Sequence, residues 1–227
     1  MPTDTFLAIT NGDMLGQSAV DYATVHDAAS SLPAETSVAY LKQSTYTIAA
    51  TTYWEIDRQG LIFNTSTIPA GANIISGTIR LYGTYAGTAQ PFNIVVVSGS
   101  VLSNPVVAAN YGGLLAATTS FGSLSATAWV VGAYNAIPLT AAGLTGITKA
   151  GTTKLGVRSS RDIASNAPVA GTSEEVDWSV SSVSGEEPQL VVTYAPGEGQ
   201  GIIAVVGETF HYLSKSGAEY VVQGTAV

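Results

Sequence analysis

The sequence contains no cysteine. Disulfides, thiolate metal centres and a cysteine nucleophile are thereby excluded, while the compartment stays open. Charge is also scarce. Charged residues make up 11% of the 227-residue chain, well under the roughly 25% of an average soluble domain. The eight lysines and arginines are scattered singly, so no basic stripe exists to neutralise phosphates, and nucleic-acid binding is not expected. A net charge of −8 also argues against docking on anionic membranes. Apolar runs are short. Ile94–Val97 is strand-length, far from the roughly 18 residues of a membrane span, so no membrane insertion is expected. The opening MPTDTFLAITNGDML has no basic segment ahead of an apolar run, and no signal peptide is visible. A virion component released by lysis would fit that start.

What is present is β-forming. Hydrophobic residues make up 46% and glycine numbers 24, with Ser and Thr supplying most of the polarity. Thr, Val, Ile and Tyr suit a pleated surface, and Gly supplies turns. Residues 1–35 are weakly patterned and read as an N-terminal arm or irregular segment. Within it Asn11-Gly12-Asp13 is a turn signal, and 19–31 reads as a short helix or irregular chain. From Thr36 the period becomes two. Residues 37–41 and 45–49 read as strands. Tyr53–Asn64 places Trp54, Ile56 and Arg58 on one face and Glu55, Asp57 and Gln59 on the other. Further strands are expected over 74–85, 92–98, 114–118, 128–131, 153–159, 174–180 and 189–194, with a helical turn after Thr140 as N-cap. The expected fold is an all-β jelly-roll sandwich over 36–195. Residues 195–201 read as a linker. Strands at 202–206, 209–213 and 219–222 follow, with a hairpin turn at 214–217. This tail is too small to fold alone and is expected to pack on the main domain or on another chain.

The succession EIDRQGLIFNTSTIPAGANIISGTIRLYG, NAIPLTAAGL, TTKLGVRSS, EEVDWSVSS and EEPQLVVTY resembles the DNRLRE jelly-roll domain over roughly residues 50 to 195. The matching positions are Arg58, Phe63, Thr65, Ser66, Ile68, Pro69, Ile79, Leu81, Tyr82, Pro188, Leu190, Val192 and Tyr194, with Asn64 where the family has Asp. The resemblance implies a fold shared by carbohydrate-binding modules, stalk and adhesion domains and phage virion proteins. It implies no particular chemistry.

A search for reaction machinery returns little. His26 and His211 stand in no metal or triad spacing, and no HExxH, G-x-S-x-G or phosphate loop occurs. Glu55 with Asp57, and Glu174 with Glu175 and Asp177, form carboxylate clusters. Same-face neighbours on a strand lie about 7 Å apart, near glycosidase spacing. Charged strand residues ordinarily mark the solvent side, so no catalytic residue is assigned and an enzyme is not expected. Asp57, Asp162, Asn166 and Asp177 are candidates for a structural Ca²⁺, and no other cofactor is implied. Arg58 is expected to be buried in a salt bridge with a carboxylate such as Asp177. Trp54 and Trp178 are expected in the core. Tyr85 and Tyr111, flanked by glycines, are the candidate glycan contacts. The leading expectation is a non-catalytic structural protein of a virion surface (a phage decoration, fibre or tail component) that assembles with other virion proteins or with itself, as a homotrimer. The alternative is a carbohydrate-binding or adhesion module working extracellularly or at a cell surface.

Overall fold

Alternation along Tyr53–Asn64 does what it dictates: the residues form one strand with two different faces, and the sandwich is built around it. The computed structural model describes residues 1–37, 39–88, 90–195 and 197, and the backbone of 203–206, 209–213 and 219–222. In chain order the elements are β1 (Thr3–Ser18), α1 (Tyr22–His26), β2 (Tyr40–Ile48), β3 (Thr51–Asn64), β4 (Asn73–Thr88), β5 (Asn93–Ser98), α2 (Asn110–Leu115), β6 (Gly122–Ser125), β7 (Tyr134–Pro138), α3 (Ala141–Thr145), β8 (Thr152–Ser159), α4 (Ser160–Ile163), β9 (Ser173–Trp178) and β10 (Gln189–Ala195). All pairings are antiparallel, and the all-β sandwich expected from the sequence is the fold.

The pairing runs in a closed circuit, β1-β10-β4-β9-β2-β3 and back to β1, with β8, β5 and β6 extending from β3 and β7 from β4. Two strands change partner part-way. Thr3–Leu7 of β1 pair with β10, and Ala8–Ser18 pair with β3 beyond a register shift at Ala8/Thr10. β4 pairs with β10 up to Arg80 and with β9 from Gly83 on, where the register shifts again. Gly83 is required there. A Cβ at that position would stand 2.4 Å from the Val130 carbonyl oxygen.

Side-chain alternation then sorts two apolar clusters. Leu61 and Phe63 of β3 join Ile79, Leu81, Leu155, Val176, Trp178, Leu190 and Val192 in the main core. Ile56 and Ile62, from the other face of β3, meet Met14, Val25, Leu102, Val106, Tyr111 and Leu114 in a second cluster. Trp54 packs against its rim. The second cluster is roofed by α1 and α2. α1 begins at Asp21, whose carboxylate accepts from Thr24 N at 2.7 Å. α2 is reached through a loop knotted by Asn110, whose Oδ1 accepts from Ser103 N and Val107 N.

Three expectations need correction. Residues 3–18 are no arm: β1 is a sixteen-residue strand in both halves of the sandwich. Its positions facing the second cluster are Gly12, Met14 and Gly16, two of them too small to register as apolar alternation, and a Cβ on Gly12 would meet Val106 at 2.4 Å. Residues 114–118 and 128–131 are not strands. They fall at the end of α2 and just after a 3₁₀ turn at Ala126–Ala128. The separate strands at 37–41 and 45–49 are one strand, β2. Thr140 does cap α3, accepting from Gly143 N at 3.3 Å. The three tail strands expected from the sequence form a sheet, β11 (Ile203–Val206), β12 (Thr209–Leu213) and β13 (Glu219–Val222), in that order. The turn at 214–217 lies outside the described residues.

Candidate functional site

Glu55, Asp57 and Gln59 share one face of β3, and the register of β1 sets Asp13 opposite Gln59 and Leu15 opposite Asp57. The segment 32–35 is pinned over them. Leu32 N donates to Leu15 O at 3.0 Å, and Asp13 and Glu35 exchange backbone bonds of 2.7 and 3.0 Å. Tyr40 and Lys42 of β2 complete a cleft of about 370 Å³ whose apolar wall is Leu15, Leu32 and Pro33. Gln59 Nε2 donates to Asp13 Oδ1 and to the Tyr40 carbonyl, both at 2.6 Å. Lys42 Nζ lies 2.9 Å from Glu55, which also accepts from Ser44 at 3.0 Å and Gln17 at 3.1 Å.

The electrostatics separate these acids. Burial, then repulsion from Glu35, lifts Asp13 to about 7 against a hydrogen bond with Asp57. Burial, then the charge of Asp13, holds Asp57 well above the carboxylate range. Burial and mutual repulsion thus favour one proton held by the pair over two ionised carboxylates. For Glu55 burial pulls upward, but the bonds from Lys42, Ser44 and Gln17 outweigh it and its pKa falls. On β9, burial and then Glu175 raise Asp177 to about 7. Because Tyr40 pairs with Asp177 and Lys42 with Glu175, the carboxylates of β3 and β9, separate in sequence, gather around Lys42.

A second polar centre lies under the roof helices. Asp162 of α4 is held by Arg58 Nε at 3.0 Å and Nη2 at 2.8 Å, and by Arg158 Nε at 2.6 Å. Arg58 further donates to the carbonyls of Tyr111 and His26, each at 2.9 Å, and lies 4.1 Å over the Tyr111 ring. Arg158 Nη1 donates to the carbonyls of Leu114, Leu115 and Ala117 at 3.0–3.2 Å, closing the C-terminal end of α2. Burial works against the Asp162 charge, but the two arginines outweigh it and its pKa is lowered. Both guanidinium groups thus bond to the Asp162 carboxylate and to backbone carbonyls. The centre ties α1, α2 and α4 to β3 and β8.

The sequence-derived candidates are thus redistributed. Arg58 is buried and paired as expected, but with Asp162 in place of Asp177. Tyr111 is no surface contact. It sits wholly buried in α2, its hydroxyl donating to Val25 O at 2.8 Å, because Gly112 beside it serves close packing on Ala29 and not a loop. Tyr85 is exposed on β4, 49% accessible. The four Ca²⁺ candidates scatter: Asp162 is enclosed by arginines, Asn166 is exposed in a loop, Asp57 is in the cleft and Asp177 is on β9. Among the described residues no three His, Asp or Glu side chains converge as metal ligands. Glu174 faces away from Glu175, wholly buried, 2.9 Å from Arg161 Nε but off the angle of a hydrogen bond. His26 Nε2 stands 2.9 Å from Asp162 O, and His211 is on a strand whose side chains lie outside the described set. Asp13, the residue that completes the cleft, read only as part of a turn. The Gly12-x-x-x-Gly16 spacing was its one available signal.

Beside the cleft, on the other side of Lys42, an open groove of about 450 Å³ is lined by Ser44, Thr45, Tyr46, Thr172, Ser173 and Glu175. Tyr46 stacks on Tyr53 with ring centres 5.3 Å apart. The outer face of β1, β10, β4 and β7 is different again. Its cross-strand rows read Thr5-Val191-Thr78-Pro138 and Leu7-Gln189-Arg80-Ala136. The charge in those rows is Arg80, which donates to Gln189 at 3.0 Å and lies 4.5 Å over the Tyr134 ring.

No family model matches the chain. Comparison with curated proteins gives no match.

Proposed function

We propose that this chain is a non-catalytic structural protein that acts by assembly, with its own copies as a trimer or with other proteins of a particle surface such as a virion decoration, fibre or tail component. The outer face of the β1-β10-β4-β7 sheet carries this reading. It is open and four strands wide, with Phe6, Leu190, Ile79 and Ile137 holding its reverse side in the core. Interface centres are depleted of charge, because an unpaired charge is costly to desolvate. This face presents Thr, Val, Leu, Gln, Ala and Pro, and its arginine is already stacked and bonded. The low overall charge and the DNRLRE-like succession of motifs support the same reading.

Sedimentation equilibrium tests it. The wild-type chain is expected as a trimer, and a Thr78→Lys, Val191→Lys variant as a monomer of unchanged fold. A wild-type chain that remains monomeric up to its solubility limit would overturn self-assembly, and equal incorporation of both forms into a particle would overturn the face.

The hydroxyl-lined groove with its stacked tyrosines favours one other reading, a glycan-binding or adhesion module. Sugar rings stack on aromatic faces while hydroxyls and carboxylates fix their orientation. Glycan-array binding lost with Tyr46→Ala or Tyr85→Ala would select this reading over the first.

A further inference from the structure

We propose that the cleft between β1, the 32–35 segment and β2 binds a primary alkylammonium group on a short aliphatic chain, either a free amine or a lysine side chain presented by another protein. The inference goes beyond assembly and does not depend on it. Asp57 is the pivotal residue. It is 2% exposed, it is one of the residues that line the cleft, and its buried Oδ1 has no hydrogen-bond partner among the described residues. A buried acceptor without a donor is costly and marks a place where a donor binds. Gln59, beside it, directs both amide protons to Asp13 and Tyr40 and has none to offer Asp57.

The charge balance points the same way. Asp13 and Asp57 share one proton, Glu35 adds a carboxylate at the exposed edge, and Glu175 and Asp177 add negative potential from β9. Lys42 lies in the same wall but is engaged by Glu55, and Tyr40 is neutral with its pKa raised, by burial and then by the surrounding acids. The cleft therefore retains net negative charge.

Shape decides which cation fits. A divalent ion takes six or more oxygens at about 2.0–2.6 Å, and one wall here is Leu15, Leu32 and Pro33. Among the described residues no set of three acidic or histidine ligands is assembled. A volume of about 370 Å³ falls within the range of small-molecule sites. An alkylammonium ion matches both halves: its N–H donors suit the Asp57 and Asp13 carboxyls within the field of Glu35, and its methylenes suit the apolar wall. Its arrival displaces the shared proton into solvent, so the ammonium replaces one positive charge with another.

Calorimetry and methyl NMR of Leu15 and Leu32, with butylammonium chloride and Nα-acetyl-lysine methylamide as probes, test the site. Saturable binding with release of a proton is expected, about tenfold tighter at pH 8 than at pH 6. Asp57→Asn is expected to weaken it at least about tenfold, and the exposed Glu35→Gln about threefold while leaving the fold intact. Should Asp57→Asn fail to fold, the pH dependence and Glu35→Gln carry the test. Binding of both probes includes a presented lysine, and binding of butylammonium alone confines the site to free amines. The proposal is overturned by absence of binding at probe concentrations on the order of 50 mM, by affinity indifferent to pH and to Glu35→Gln, or by CaCl₂ binding where butylammonium does not.

Discussion

Arg58 and Asp162 stand 104 residues apart in the chain and meet in a two-pronged ion pair of 3.0 and 2.8 Å with both side chains wholly buried. Two arginines and one aspartate leave the centre one positive charge in excess, met by the carbonyls of Tyr111, His26 and the end of α2. A guanidinium cannot shed its proton inside a protein. The pair is therefore fixed in its charged form.

The first prediction follows from that asymmetry. Asp162→Asn leaves two buried guanidinium groups without a counter-ion and is expected to cost about 3–5 kcal/mol. Arg161→Ala also strands a buried acid, Glu174, but that group titrates near 7, raised by burial against the pull of Arg161. It can take a proton instead, and the expected cost is about 1–2 kcal/mol. Urea midpoints of the two variants should rank in that order. Equal losses would refute the account.

Stability is expected to fall as pH rises from 5 to 8. Asp13 titrates near 7 when folded, against 3.8 as its ordinary value. Between those values the folded chain holds more protons than the unfolded one, so their stabilising effect is complete below about pH 4 and is lost through pH 7. Asp57 and Asp177 shift in the same direction. Glu55 and Asp162 shift downward and lose their contribution only in more acidic solution. Thermal melts should show a midpoint at pH 5 higher by about 5 °C or more than at pH 8. Asp57→Asn should flatten that slope, and a slope of opposite sign would exclude the shared proton.

Tyr111→Phe removes the hydroxyl bonded to Val25 O and is expected to cost about 1 kcal/mol. Any glycan binding should be untouched by it. A glycan signal that disappears with this substitution while stability holds would restore Tyr111 as a contact.

Gly83→Ala forces a methyl group to within 2.4 Å of the Val130 carbonyl at the point where β4 changes partner. An overpacking cost of about 2 kcal/mol or more is expected in chemical denaturation. A neutral result would mean that the 129–132 segment moves aside.

Much of the fold was legible where both faces of a strand are populated by large residues. Tyr53–Asn64 declared its two faces, and the burial of Arg58 followed from its place between Ile56 and Ile62. Its partner was not legible, because no local pattern links β3 to a turn of helix after β8. β1 was missed for a different reason: its covered face is made of glycines, whose role is to admit Val106 and the Tyr111 ring. Tyr111 itself was misread from its neighbours, since Gly112 and Gly113 signal a loop as readily as a tight helix contact. At the cleft and the groove beside it, Asp57 and Glu55 were visible as a same-face pair. Their burial was not, because it is imposed by partners distant in sequence, residues 32–35 beside Asp57 and Gln17, Lys42 and Ser44 around Glu55.

β1 bonds along one side to β3 and, through Thr3–Leu7, to β10. During synthesis it emerges ahead of the other strands of its sheet and then waits for a partner about 185 residues downstream, a loop closure that slows folding. Until β10 is released from the ribosome the circuit stays open, and the edges of β1 and β4 that will flank β10 remain unpaired. Nascent chains stalled before residue 189 should consequently be the form most prone to capture by chaperones or by one another.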